Sequence, residues 1–273
     1  MELAIGFVIA FAIAVTGVGA GTITAPLLIL FLHVPIELSV GTALAYSAIV
    51  KMIVVPVQIW RKQVVYRVVG WMVLGGVPGV ILGVVLFRRV VRHGEQNILY
   101  VALGSIIVAS SAWHLYRNLR PPTATRAQKT HPAWIAALML PIGAEVGFSS
   151  SGAGALGTLA LLSMTSLDAS KVVGTDLVFG LCLSLVGGGM HVFNGSYDSA
   201  LLLKLVLGGV FGAVVGCGVA PRLPNRQLRV ALAALLLVVG TMICVRPLKF
   251  HPIASLQSAV HASTSGSGAF DRK

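Results

Sequence analysis

The sequence predicts an all-α polytopic membrane protein of about eight apolar transmembrane segments, in two homologous repeats with Gly-rich broken or re-entrant helices. Three observations carry that prediction. Of 273 residues, 56% are hydrophobic and 10% charged, where soluble domains usually carry roughly 25% charged residues. Disorder is excluded too, because unfolded segments are poor in apolar residues and rich in net charge. The apolar residues gather in uncharged stretches long enough to cross a hydrocarbon core of roughly 30 Å as helices. Finally, the order of motifs in the first half of the chain recurs in the second.

The apolar stretches fall at about 3–32, 38–60 (interrupted by Lys51), 68–87, 96–116, 133–165 (interrupted by Glu145), 172–192 (interrupted by Asp176), 199–220 (Lys204 near its start) and 228–246. The first and fifth are too long for one straight crossing: a helix over 3–32 would reach about 45 Å at 1.5 Å per residue. Each must tilt, break or fold back. Both have glycine-rich centres where a break costs least, Gly17-Val18-Gly19-Ala20-Gly21 and Gly152-Ala153-Gly154-Ala155-Leu156-Gly157.

Those centres belong to an internal repeat. A shift of 133 aligns residues 19–84 with 152–217 without a gap, and fifteen of the 66 pairs are identical. The identities fall in blocks: Gly19-Ala20-Gly21 on Gly152-Ala153-Gly154, Val40-Gly41-Thr42 on Val173-Gly174-Thr175, and Leu74-Gly75-Gly76-Val77 on Leu207-Gly208-Gly209-Val210. Shared composition scatters its matches, whereas duplication keeps them in one register. The expected organisation is a first transmembrane repeat at 1–116, a basic linker at 117–132, a second repeat at 133–248 and a disordered tail at 249–273.

Charge sets the surroundings. Lys and Arg number 20 against 8 Asp plus Glu, and the basic residues sit between apolar runs, as cytoplasmic loops do under the positive-inside rule. Nucleic acid is not an expected partner; a lipid bilayer is. If every segment crosses once, the charges put both termini in the cytoplasm. If the two long segments re-enter, the halves become inverted repeats with the linker still inside. After Met1-Glu2 the chain runs straight into its first apolar segment, so no cleavable signal peptide is expected. Cys182, Cys217 and Cys244 lie inside apolar runs without the spacing of a zinc site, and neither a metal nor a cofactor is expected.

Gly152 to Gly157 fits G-x-G-x-x-G with Asp176 about 20 residues on, but that motif binds a dinucleotide only between a strand and a helix of a parallel sheet. Inside an apolar run it has two other uses. Small residues let helices pack closely. A broken helix, alternatively, turns its free N–H groups and positive dipole end into a cavity, which favours an anion. Gly19, Gly21, Thr22, Ser150, Ser151, Gly152 and Gly154 would line such breaks. Thr42 and Thr175, in matching places one segment later, would add a hydroxyl from each half, although Ser and Thr in apolar helices often bond only to their own backbone. Ionisable groups inside a membrane are expensive unless paired or wet. Lys51, Glu145, Asp176 and His191 are therefore candidates for proton coupling or as charge partners, with Lys51 also able to snorkel to an interface.

With the twin breaks, Pro26-Leu27-Leu28, the Gly41-Thr42 and Gly174-Thr175 pairs and the late Leu-Gly-Gly blocks in this order, the chain resembles the TauE/SafE family of sulfite exporters (TSUP transporters) over about residues 5–245. The resemblance implies a two-repeat inner-membrane, multi-pass permease, without enzymatic activity, for sulfite, an organosulfonate or a related small anion, with proton coupling as an open option. The second break departs from the pattern with Leu159 where Pro26 stands in the first, and with Ser149-Ser150-Ser151 in front of it. Two alternatives stay open at this point: an intramembrane serine hydrolase using Ser150 or Ser151 with His191 as base, and a membrane subunit that only assembles a complex. A homodimer is open as well.

Overall fold

The computed structural model describes residues 2–16, 20–92, 96–119, 132–150, 156–165, 167–220, 234 and 237–243. Among them the elements are all helices: α1 (Glu2–Thr16), α2 (Ala20–Phe31), α3 (Ile36–Trp60), α4 (Tyr66–Arg92), α5 (Gln96–Leu119), α6 (Pro132–Ser149), α7 (Leu156–Met164), α8 (Ala169–Phe193) and α9 (Ser199–Val219). Residues 237–243 are helical as well. Four helices, those over 36–60, 66–92, 170–193 and 199–219, are long and apolar enough to cross a membrane. The protein is an all-α membrane protein. Each of the two over-long stretches is two helices, α1 with α2 and α6 with α7, so the count of single crossings is lower than the number of apolar helices. In hydrocarbon every backbone group needs an internal partner, and helices provide it within one segment.

Helix direction follows from which residues touch. Beta carbons added at Gly75, Gly79 and Gly83 of α4 would fall 1.8–2.1 Å from the carbonyl oxygens of Ala136, Leu140 and Ala144 of α6. Both series ascend, so α4 and α6 run parallel with backbones in contact. Gly208 and Gly212 of α9 meet Leu3 and Phe7 of α1 in the same way, and Gly216 meets Phe11 and Ala14. Close approach of this kind is what small residues supply where lipid offers no hydrophobic drive for helix association. Subtracting or adding 133 converts the α4–α6 contacts into the α9–α1 contacts, so the first helix of each half packs on the fourth helix of the other half.

The α3–α8 contact has the opposite sense. Gly41 lies against the His191 β-carbon and Leu44 against Gly187, while Ser47 and Lys51 both reach Ser184. One series ascends as the other descends, so these helices, which occupy matching places in the two halves, are antiparallel. Short links reverse the chain between α2 and α3, between α3 and α4, and between α8 and α9. It follows that α1 runs the way α3 does and α2 returns, so the α1–α2 pair comes back to the side it started from. The α6–α7 pair does the same from the opposite side. Of the two topologies the sequence left open, single crossings throughout or re-entry of the long segments, these helix directions favour re-entry.

The halves are stitched reciprocally. The backbone N–H of Asp198, ahead of α9, donates to Thr42 Oγ1 at 3.0 Å, and the N–H of Val65, ahead of α4, donates to Thr175 Oγ1 at 3.1 Å. A Cβ at Gly209 would strike the Tyr46 ring, and one at Gly76 the Phe179 ring. The Tyr46 hydroxyl donates to the Gly6 carbonyl at 2.6 Å. Two apolar cores result, one around Phe87, Met139, Phe179 and Leu183, the other around Ile13, Leu28, Tyr46 and Leu205.

Candidate functional site

The middle of the α3–α8 contact is polar. Lys51 is 2% exposed and its Nζ donates to Ser184 Oγ at 3.1 Å. Ser47 Oγ lies 3.1 Å from the same oxygen. Both serines are buried. Lys51 does not snorkel: its ammonium ends inside the protein, in a setting where translocon insertion alone prices a lysine at roughly 3 kcal/mol. Asp176, two turns before Ser184 on α8, is buried in the same interior.

Asp176 is 1% exposed. Its Oδ2 accepts the Thr158 hydroxyl at 2.8 Å, and a Cβ on Gly157 would fall 2.1 Å from its Oδ1. The carboxylate therefore sits at the first turn of α7, the positive end of that helix's dipole, and glycine at 157 is what lets it come so close. At the matching positions of the first half stand Ala43, Thr24 and Ala25. The two halves are unlike here: position 176 brings a carboxylate to the start of α7, whereas its counterpart at 43 is alanine.

The remaining candidates scatter. Ser150, 3% exposed, closes α6 in the left-handed region at φ 61, and its hydroxyl has no hydrogen-bonding partner among the described residues. His191 is 1% exposed and packs edge-on against Phe87 at 5.5 Å. No Ser150–His191 dyad is assembled. Glu145 is half-buried and lines an open, otherwise apolar groove with Leu86, Ile106, Trp113 and Phe148. Thr42 and Thr175 are buried, but they stand at opposite ends of the antiparallel pair, each engaged by a backbone N–H of the other half. Gly21 and Thr22 lie in the first turn of α2. Gly19, Ser151, Gly152 and Gly154 lie outside the described residues. Among the described residues no cluster of three or more His, Cys, Asp or Glu side chains is placed to hold a metal.

Sequence reasoning overlooked Ser47, Ser184 and Thr158. The signal for Ser184 was available: it is the residue 133 places after Lys51, and a charged position matched by a hydroxyl on a self-pairing helix is a natural contact.

The sequence model of the sulfite exporter TauE/SafE family matches residues 2–243. The chain is 29% identical over 249 residues to "Probable membrane transporter protein YjnA" of Bacillus subtilis, covering 86% of this chain and 95% of that one. It is 26% identical over 217 residues to "Probable membrane transporter protein YdhB" of the same organism, covering 78% and 86%. No solved structure matches the chain.

Proposed function

The chain belongs to the sulfite exporter TauE/SafE family and is a membrane transporter rather than an enzyme, and from that premise we propose that it carries a small anion of the sulfite or organosulfonate class through a site at Lys51. The observation that carries the proposal is the buried ammonium of Lys51 with Ser184 and Ser47 beside it. A fixed positive charge with hydroxyls, away from water, replaces the hydration shell of an oxyanion and rejects cations.

Coupling follows from charge balance. With Lys51 and Asp176 both buried, their opposite charges leave the interior nearly neutral. An anion at Lys51 adds a buried negative charge, which is costly in low dielectric. Protonation of Asp176 cancels it, one proton for each charge. The family's name supports outward movement, and the inner membrane is the location we assign.

The antiparallel run of α3 and α8, and the contacts that repeat at an offset of 133, support an inverted duplication with a pseudo-twofold axis in the membrane plane. Ile107 and Gly240, again 133 apart, touch as Lys51 and Ser184 do. Such an axis lets two states exchange by rocking one half against the other around a fixed central site. The side bearing Arg61, Lys62, Arg67 and Lys171, where α5 ends and α6 begins, is assigned to the cytoplasm on charge.

The test is uptake of labelled sulfite, isethionate and sulfate into proteoliposomes, with and without a pH gradient, by wild type and Lys51→Met. Saturable flux of a sulfite-class anion that Lys51→Met removes is the expected result. Flux untouched by Lys51→Met, or none for any of the three anions, would overturn the proposal.

A further inference from the structure

One helix-ending turn is built twice in this chain, and its two copies differ in charge. After α3 the N–H groups of Arg61, Lys62 and Gln63 donate to the carbonyls of Val57, Ile59 and Gln58. After α8 those of Asn194, Gly195 and Ser196 donate to the carbonyls of Met190, Val192 and His191, each partner 133 positions on. The central residue is left-handed in both, Lys62 at φ 54 and Gly195 at φ 70. Glycine is the ordinary choice there, because any other side chain crowds its own backbone at positive φ. Lysine holds the place only at a cost, and such strain persists where the side chain has a use. We propose that the α3–α4 turn binds the phosphate of an anionic phospholipid, with Lys62 and Arg67 holding it and Arg61 beside them. The site is independent of the transport reading above.

Arg61, Lys62 and Arg67 are all exposed. Arg61 Nη2 donates to the Cys217 carbonyl at 3.2 Å, which fixes the guanidinium against the last turn of α9. Neither Lys62 nor Arg67 makes an ion pair among the described residues. A Cβ on Gly174 would fall 2.3 Å from the Gln63 carbonyl oxygen, so the start of α8 packs on the turn and brings Lys171 to the same side. Asp168 lies 3.9 Å from Lys171 and pairs with none of the other three. Two aromatics flank the basic residues, Trp60 at 84% exposed and Tyr66 at 63%, and Trp and Tyr collect at the level of lipid headgroups. The copy after α8 keeps an exposed aromatic, Phe193, but has Asn194, Gly195 and Ala200 where Arg61, Lys62 and Arg67 stand. Apolar contact with lipid is thus common to both turns, and attraction for anionic headgroups belongs to one. Retention of positive loops on one side is satisfied by a lysine at any unstrained position nearby; it gives no reason for one at the left-handed position.

The experiment is thermal melting of the purified chain in detergent micelles, with phosphatidylglycerol or phosphatidylcholine added, for wild type, Lys62→Gly, Arg67→Gln and Gly195→Lys. Phosphatidylglycerol should raise the wild-type melt by about 3 °C or more over phosphatidylcholine, as any ligand of the folded state does. Lys62→Gly should melt about 2 °C above wild type without added lipid, its strain being gone, yet lose most of the phosphatidylglycerol gain. Arg67→Gln should lose the gain without that higher starting point. Gly195→Lys, whose side chain enters open space, should melt lower and respond to phosphatidylglycerol no more than wild type. A full gain in Lys62→Gly, or no difference between the two lipids for wild type, overturns the site. A gain reproduced by free glycerol phosphate also overturns it, since the ligand would then be a soluble phosphate. A lower lipid-free melt for Lys62→Gly than for wild type removes the strain at position 62 and the inference with it. Flux enters none of these readouts, so failure here leaves the permease reading untouched.

Discussion

Lys51 hydrogen-bonds Ser184 across 3.1 Å, and the two residues hold the same place in the two halves of the chain, 133 positions apart. A charge beside its own repeat counterpart lies close to the proposed pseudo-axis, where either helix can deliver it to the same point. Lys51→Ser should therefore lose saturable flux by roughly tenfold or more. Adding Ser184→Lys should restore most of it, because the ammonium then comes from α8 instead of α3. Proteoliposome flux for the two single variants and the double variant reads this directly. A double variant no better than Lys51→Ser would place the charge requirement on α3 alone.

Asp176 and Glu145 divide on position. Asp176 is buried with Thr158 on its Oδ2, whereas Glu145 lines the open apolar groove between α4, α5 and α6. Asp176→Asn should leave downhill anion flux measurable but insensitive to an imposed pH gradient. Glu145→Gln should keep the gradient response. The reverse pattern would move the coupling proton to α6.

Removal of the threonine acceptors should act on stability. Thr42→Val and Thr175→Val each strip the partner from a partly buried backbone N–H, of Asp198 and of Val65, at a cost of about 1–2 kcal/mol each. Thermal melting in detergent should fall for both, by similar amounts, and Thr→Ser at either position should recover it. An unchanged melt with a raised KM for the anion would instead give these hydroxyls to the substrate.

Helix contact makes paired demands on glycine. A Cβ at Gly79 would meet the Leu140 carbonyl oxygen at 2.1 Å and one at Gly212 the Phe7 carbonyl oxygen at 2.2 Å, while Gly70 has open space around it. Backbone cannot yield as a side chain can, so Gly79→Ala and Gly212→Ala should each destabilise by about 1–3 kcal/mol. Gly70→Ala, free of that clash, should gain up to about 1 kcal/mol from helix propensity. Melting temperatures of the three variants check the contrast.

Much of the architecture could be read before any coordinates. Uncharged runs between basic clusters announce a membrane protein, because lipid and water select residues one position at a time. The length of 3–32 and 133–165 required a break, and glycines marked where. Lys51, Asp176 and His191 stood out because an ionisable group in an apolar run needs a reason. What they touch was a different matter. Glu145 and Asp176 look alike in sequence, yet one lines an open apolar groove and the other sits at the start of α7. Thr42 and Thr175 were recognisable as a pair, but each bonds a backbone N–H from the opposite half. Composition, periodicity and repeats report which solvent a residue faces and how far a helix reaches, and both are local properties. Whether the long segments re-enter, and which hydroxyl meets Lys51, depend on antiparallel packing of α3 and α8 across more than a hundred residues, and only the packed tertiary structure decides that.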